Sequence, residues 1–217
     1  MSTVNCEQHR YGIIVIDMLN DFIGEKAALR CPGADNIVPN LQKLFKWTRA
    51  RNAAGNDDVQ LIHVQEAHRK NDADFRVRPR HAEKGTWGSD FIEELYPEGE
   101  EYTIPKRRHS SFWHTDLDLY LREEKMDTVV VTGVWTNVCV RSTAADALAL
   151  AYRVITLTDG VESVSPEQHA SGLTDLSIFT KLVSIDEFTA AVDAGQDPWA
   201  GAGDTANKAA DNFSKDK

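Results

Sequence analysis

The sequence is poor in cysteine, in positive charge and in long apolar runs. Its 217 residues hold three cysteines, Cys6, Cys31 and Cys139, an odd number without the paired spacing of a metal knuckle. That argues against a disulfide framework and for a reducing, cytoplasmic setting. No window approaches the 18 or more apolar residues of a membrane span, and the polar start MSTVNCEQHR lacks the apolar core of a secretory signal. Lys and Arg number 24 against 34 Asp and Glu, a formal charge of −10. Extended nucleic-acid surfaces want clustered positive charge, so neither nucleic acid nor membrane is an expected partner. The local exception is the group Arg69, Lys70, Arg76, Arg78 and Arg80. It reads either as a solvated loop or as a lid facing anions or carboxylates.

What the chain does have is a rhythm of short apolar runs. Tyr11-Gly12-Ile13-Ile14-Val15-Ile16, Val59 to Val64, Thr128 to Thr132 and Val154 to Leu157 are β-branched and continuous, as in strands covered on both faces. Tyr102-Thr103-Ile104 and Leu182 to Ile185 are weaker candidates. Helical patterns lie between. Asp35 is placed to cap a helix through Ile37, Val38, Leu41, Leu44 and Phe45. Thr115 or Asp116 opens a second, and Thr136 or Asn137 a third carrying Val140, Ala144, Ala147 and Ala151. This alternation predicts a doubly wound, mainly parallel α/β domain over residues 1–194. Gln65 to Glu101 lacks a long helix and is too long for a plain connector, so it reads as a lid or binding excursion. The polar stretch 195–217 reads as a tail, mobile or docked on a neighbouring subunit.

Ligands of open α/β sheets bind beyond the carboxyl ends of the strands, where strand order reverses. Asp17 follows the first run, Lys106 the weak one before it in space, and Cys139 the third strong run. If the strand order is 3-2-1-4-5-6, a carboxylate, an amine and a thiol meet at one place. A thiol is a weak nucleophile until deprotonated, so an adjacent base and cation at a helix start suit covalent catalysis. Each residue also has an ordinary reading: Asp17 as a turn residue, Lys106 as part of a solvated run, Cys139 as core.

Three segments carry a resemblance. IVIDMLNDFIG, IPKRRHSSFWHTDLDLYLRE and VVVTGVWTNVCVRSTAADALALAYRVITLTDGV resemble the isochorismatase-like cysteine hydrolases over about Tyr11 to Phe188. The resemblance implies a three-layer α/β/α, Rossmann-like fold with six strands and a triad of Asp17, Lys106 and Cys139. It implies a cis peptide before Trp135, an oxyanion hole from the N–H groups of Trp135 and Cys139, and Phe22 and Phe112 in the substrate pocket. It also implies a homo-oligomer, dimer or tetramer. Trp135 stands where many members carry a small residue, and Ala151 replaces a Gly, a mild change.

The nicotinamidases of this family carry an Asp-x-His…His metal site. Here the matching positions are Glu66, His68 and His81, read as hydrogen-bonding loop residues, so no metal or other cofactor is expected. The segments around them look closest to the biuret and ureidoacrylate amidohydrolases. The expected activity is cleavage of a C–N bond in a small amide or ureido substrate through a thioester, with Arg107 or an arginine of the 69–80 run reading a carboxylate. The alternatives are a metal-dependent nicotinamidase and, from another class, a non-catalytic binding or redox-sensing module.

Overall fold

The computed structural model describes residues 9–202. Six strands form one sheet: β1 (Tyr11–Ile16), β2 (Val59–Glu66), β3 (Tyr102–Lys106), β4 (Thr128–Val134), β5 (Arg153–Glu162) and β6 (Lys181–Val183). Their order is β3-β2-β1-β4-β5-β6, and all neighbours run parallel. The helices are α1 (Ala34–Ala53), α2 (Leu117–Glu123), α3 (Arg141–Ala149), α4 (Pro166–Phe179) and α5 (Ile185–Asp193). No described helix is long and apolar enough to cross a membrane.

The pleat of β1 divides the core. Ile13 and Val15 pack with Leu41, Leu44, Phe45 and Phe188 of α1 and α5, while Ile14 and Ile16 pack with Leu121, Ala144, Ala147 and Leu176 of α2, α3 and α4. Successive strand residues point to opposite faces, so both faces of a covered strand are apolar and its sequence reads as an unbroken run. The doubly wound parallel sheet predicted from the rhythm is the one observed, with the three layers that the resemblance implies.

Local differences have local causes. Asp35 does not cap α1; the helix begins at Ala34, and Asp35 lies inside its first turn, where its charge suits the helix dipole. Thr136 opens a wide π-type turn, Thr136–Val140, before α3 begins. Between β2 and β3 the described chain forms only three short 3-10 turns, at Ala73–Arg76, Trp87–Ser89 and Glu93–Leu95. Ala151, after α3, has φ 68°, the left-handed region that favours glycine. The change from Gly is therefore a strained one rather than a mild one. Residues 195–202 lie against this chain's own sheet: Asp197 pairs with Arg153, whose guanidinium covers the Trp199 ring at 4.8 Å. The rest of the expected tail, and Cys6, fall outside the described residues.

Two glycines set close approaches around the carboxyl edge. Gly133 in β4 has φ 96°, and a β-carbon there would lie 2.1 Å from the Ile16 carbonyl oxygen. Gly172 in α4 meets the turn after β4: its β-carbon would come within 2.8 Å of the Asn137 backbone nitrogen.

Candidate active site

Asp17 stands one residue past β1, in a left-handed conformation with φ 55°. Its N–H donates to the Val64 carbonyl at 3.0 Å, and its Oδ1 accepts the Glu66 N–H at 2.9 Å. The end of β2 thereby holds the carboxylate at the sheet edge. Lys106 ends β3, two strands away, and its long side chain reaches across the end of β2. Its Nζ lies 2.7 Å from Asp17 Oδ2 and 3.7 Å from Cys139 Sγ. Cys139 sits in the π-type turn beyond β4, with 5% of its surface exposed. Strand order thus brings Asp17, Lys106 and Cys139 together, as the sequence suggested.

Burial sets the proton inventory. It pushes the Asp17 carboxyl up to about 6, against the pull of Lys106. It pushes the Cys139 thiol up as well, again against Lys106. Burial also opposes the Lys106 charge, but Asp17, Cys139 and Glu66 outweigh it and hold the ammonium protonated. At neutral pH the trio is a carboxylate, an ammonium and a neutral thiol. Partial burial and the nearby Arg78 push the His109 imidazole down; its Nδ1 is 3.9 Å from Cys139 Sγ.

A tight cleft is lined by Asp17, Phe22, Arg78, Val134, Trp135 and Cys139. The Val134–Trp135 peptide is cis. Phe22 and Trp135 meet edge to face, centroids 6.1 Å apart. Phe112 is not on this wall; it stacks on Tyr152 at 6.1 Å in the second core cluster. Arg107 is not on it either, since it faces Asp72 at 3.4 Å beside an outer groove. Instead Arg78 lines the cavity, one member of the basic run already conspicuous in the sequence. Its individual place was not legible there, because Asp74 and Glu66 fix it through tertiary ion pairs.

Glu66, His68 and His81 are all buried, with ligand-type atoms within 4.8 Å of one another. Two imidazoles and a carboxylate are a donor set that a zinc-like ion accepts. Glu66 Oε2, both ring nitrogens of His68 and Nε2 of His81 have no hydrogen-bond partner among the described residues, but the Glu66 charge is already answered by its neighbours. His68 Nε2 lies 3.1 Å from Glu66 Oε1, and His81 Nε2 lies 3.3 Å from Glu66 Oε2. Arg78 Nη2 shares Glu66 Oε1 at 3.1 Å, while its Nε holds Asp74 at 2.8 Å. Burial opposes the Glu66 charge, but Lys106, the two imidazoles and Arg78 hold that carboxyl well below its usual range. With Arg78 in place the set does not fit a resident dication.

Residues 11–187 match the isochorismatase domain model. The chain belongs to the isochorismatase family. An isochorismatase-like hydrolase from Alkaliphilus metalliredigens is 67% identical, with a TM-score of 0.82, covering 84% of this chain and 99% of that one. N-carbamoylsarcosine amidase from Thermoplasma acidophilum is 31% identical, with a TM-score of 0.71, covering 82% and 97%. The ureidoacrylate amidohydrolase of Rhizobium rhizogenes is 29% identical over 208 residues, covering 83% of this chain and 82% of the relative. Nicotinamidases are also among the isochorismatase-family structures it matches.

Proposed function

We propose that this isochorismatase-family hydrolase is a cysteine amidohydrolase acting on a small amide or ureido compound. The observation that carries the reading is the buried convergence of Asp17, Lys106 and Cys139 beside a tight cleft. Asp17, ionised at neutral pH, takes the thiol proton as Cys139 attacks the carbonyl carbon. The N–H groups of Trp135 and Cys139 receive the oxyanion. Asp17 returns the proton to the leaving nitrogen, ammonia or an amine departs, and a thioester remains. Asp17 then activates the water that hydrolyses it, while Lys106 keeps carboxylate and sulfur in register throughout. Two of the matched relatives are named for ureido and carbamoyl substrates, which supports that class here.

An ammonia-release screen over biuret, ureidoacrylate, carbamoyl amino acids and nicotinamide, with and without chelator, tests the proposal. Ureido turnover that survives chelation and vanishes in Cys139→Ala is expected. Activity retained in folded Cys139→Ala overturns the nucleophile. Nicotinamide hydrolysis abolished by chelation overturns the substrate class in favour of a metal-dependent nicotinamidase.

A further inference from the structure

We infer that Arg78 is the resident cation of this pocket: it closes the Glu66–His68–His81 cluster to metal ions and offers its free guanidinium edge to an acceptor oxygen of the substrate. The second half rests on Cys139 being the nucleophile; the first does not.

Charge accounting supports the closure. Asp17 pairs with Lys106, Glu66 and Asp74 pair with Arg78, and Asp72 pairs with Arg107 and Arg108. Asp72 Oδ2 also lies 3.5 Å from His68 Nδ1, which ties the outer pair to the cluster. Asp17, Glu66, Asp72 and Asp74 therefore face Lys106, Arg78, Arg107 and Arg108, four carboxylates against four cationic side chains. A dication added to that paired set, whose inner members Asp17, Glu66 and Lys106 are buried, has no uncompensated carboxylate to pair with, and buried charge without a partner is costly. Asp74 Oδ2, itself held by Arg78, stands 3.8 Å from His68 Nε2 and 3.9 Å from His81 Nε2. The guanidinium thus holds one oxygen each of Glu66 and Asp74, two of the three carboxylates that border the imidazoles.

Geometry supports the second half. Arg78 spends Nε on Asp74 and Nη2 on Glu66, and no acceptor among the described residues is bonded to Nη1. Arg78 shares the cavity wall with Cys139. Trp135 is on the same wall, and its buried indole N–H has no partner. Two unmatched donors beside a nucleophile call for a ligand rich in acceptors. Because the charges already balance, a neutral second carbonyl fits better than a carboxylate. A ureido or diamide substrate, with an acceptor oxygen beyond the scissile carbonyl, has that chemistry.

Calorimetric titration with Zn²⁺ on wild type, Arg78→Met, Arg78→Lys and Arg78→Met/His68→Ala tests the closure without any need for turnover. Wild type and Arg78→Lys, each with a cation at this place, are expected to bind no zinc. Arg78→Met is expected to bind one per chain, and the double variant none. Stoichiometric zinc on wild type that His68→Ala removes, or silence in folded Arg78→Met, overturns the closure. For the substrate half, chelated Arg78→Met and Arg78→Lys are expected to raise KM for biuret at least tenfold with a smaller change in kcat. An unchanged KM overturns that half alone, and inactivity of wild type on every substrate overturns the proposed function while leaving the zinc result standing.

Discussion

The Lys106 ammonium lies 2.7 Å from the Asp17 carboxylate, and neither side chain reaches solvent. Removing one partner of a buried ion pair leaves the other uncompensated, at a cost of about 3–5 kcal/mol. Lys106→Met is therefore expected to lower the thermal midpoint by roughly 6–20 °C for a chain of this size. Turnover should fall by at least about 10²-fold, as when a preorganised charge is taken from an active site. Calorimetric melting and ammonia release on the same preparation check both; a variant as stable and as active as wild type contradicts the role given to the pair.

Asp17 works as a base only when ionised, and burial brings its carboxyl up to about 6. The rate should climb between about pH 5 and pH 7 and then level off. Its folded-state value lies above the unfolded one, so the folded protein binds the extra proton. This group's contribution to stability is then fullest below about pH 4 and declines as pH rises through 6. Asp17→Asn should lose both the activity and this dependence, read from a pH–rate profile and melts across pH 4–7.

At Gly133, a β-carbon would lie 2.1 Å from the Ile16 carbonyl. That contact joins β4 to β1 one residue before Asp17, and backbone there has nowhere to move. Gly133→Ala should cost about 3 kcal/mol or more and reduce soluble yield, since overpacking and strain at positive φ add. Soluble expression followed by thermal denaturation measures it. A wild-type melt would show that the two strands separate more easily than their register suggests.

Ala151 offers the opposite change. It holds φ 68° just beyond α3, where an alanine pays a left-handed penalty of about 1–2 kcal/mol that glycine escapes, less the entropy glycine loses on folding. Ala151→Gly should stabilise by about 0.5–1 kcal/mol with kinetics unchanged, and a melting comparison decides it.

How much of this was legible in the sequence follows from what fixes each part. β1, β2 and β4 were legible because their faces are both covered, so burial writes an unbroken apolar run. Asp17 and Cys139 are legible because each follows such a run, and Lys106 because it ends the weaker run of β3; strand order gathers them. α4 is silent in the sequence; among its described residues only Gly172 and Leu176 are buried, which leaves no apolar stripe at helical spacing. α5 leaves no separate signal beside it, since Ile185, its first residue, continues the apolar run from Leu182. Arg78 could not be singled out of the 69–80 run, nor Phe112 kept off the cleft wall, for a related reason. The path of the β2–β3 excursion comes from ion pairs such as Arg78 with Asp74, and the placement of Phe112 from its stack on Tyr152. Neither leaves a periodic signal.

Gly172 leaves no room for a single methyl group between α4 and Asn137, so the turn carrying the nucleophile has no slack on its outer side. Whatever adapts this pocket to a new substrate must come from within, at Phe22, Arg78 and Trp135. Diversification has one wall to work on, and the opposite wall is backbone set against backbone.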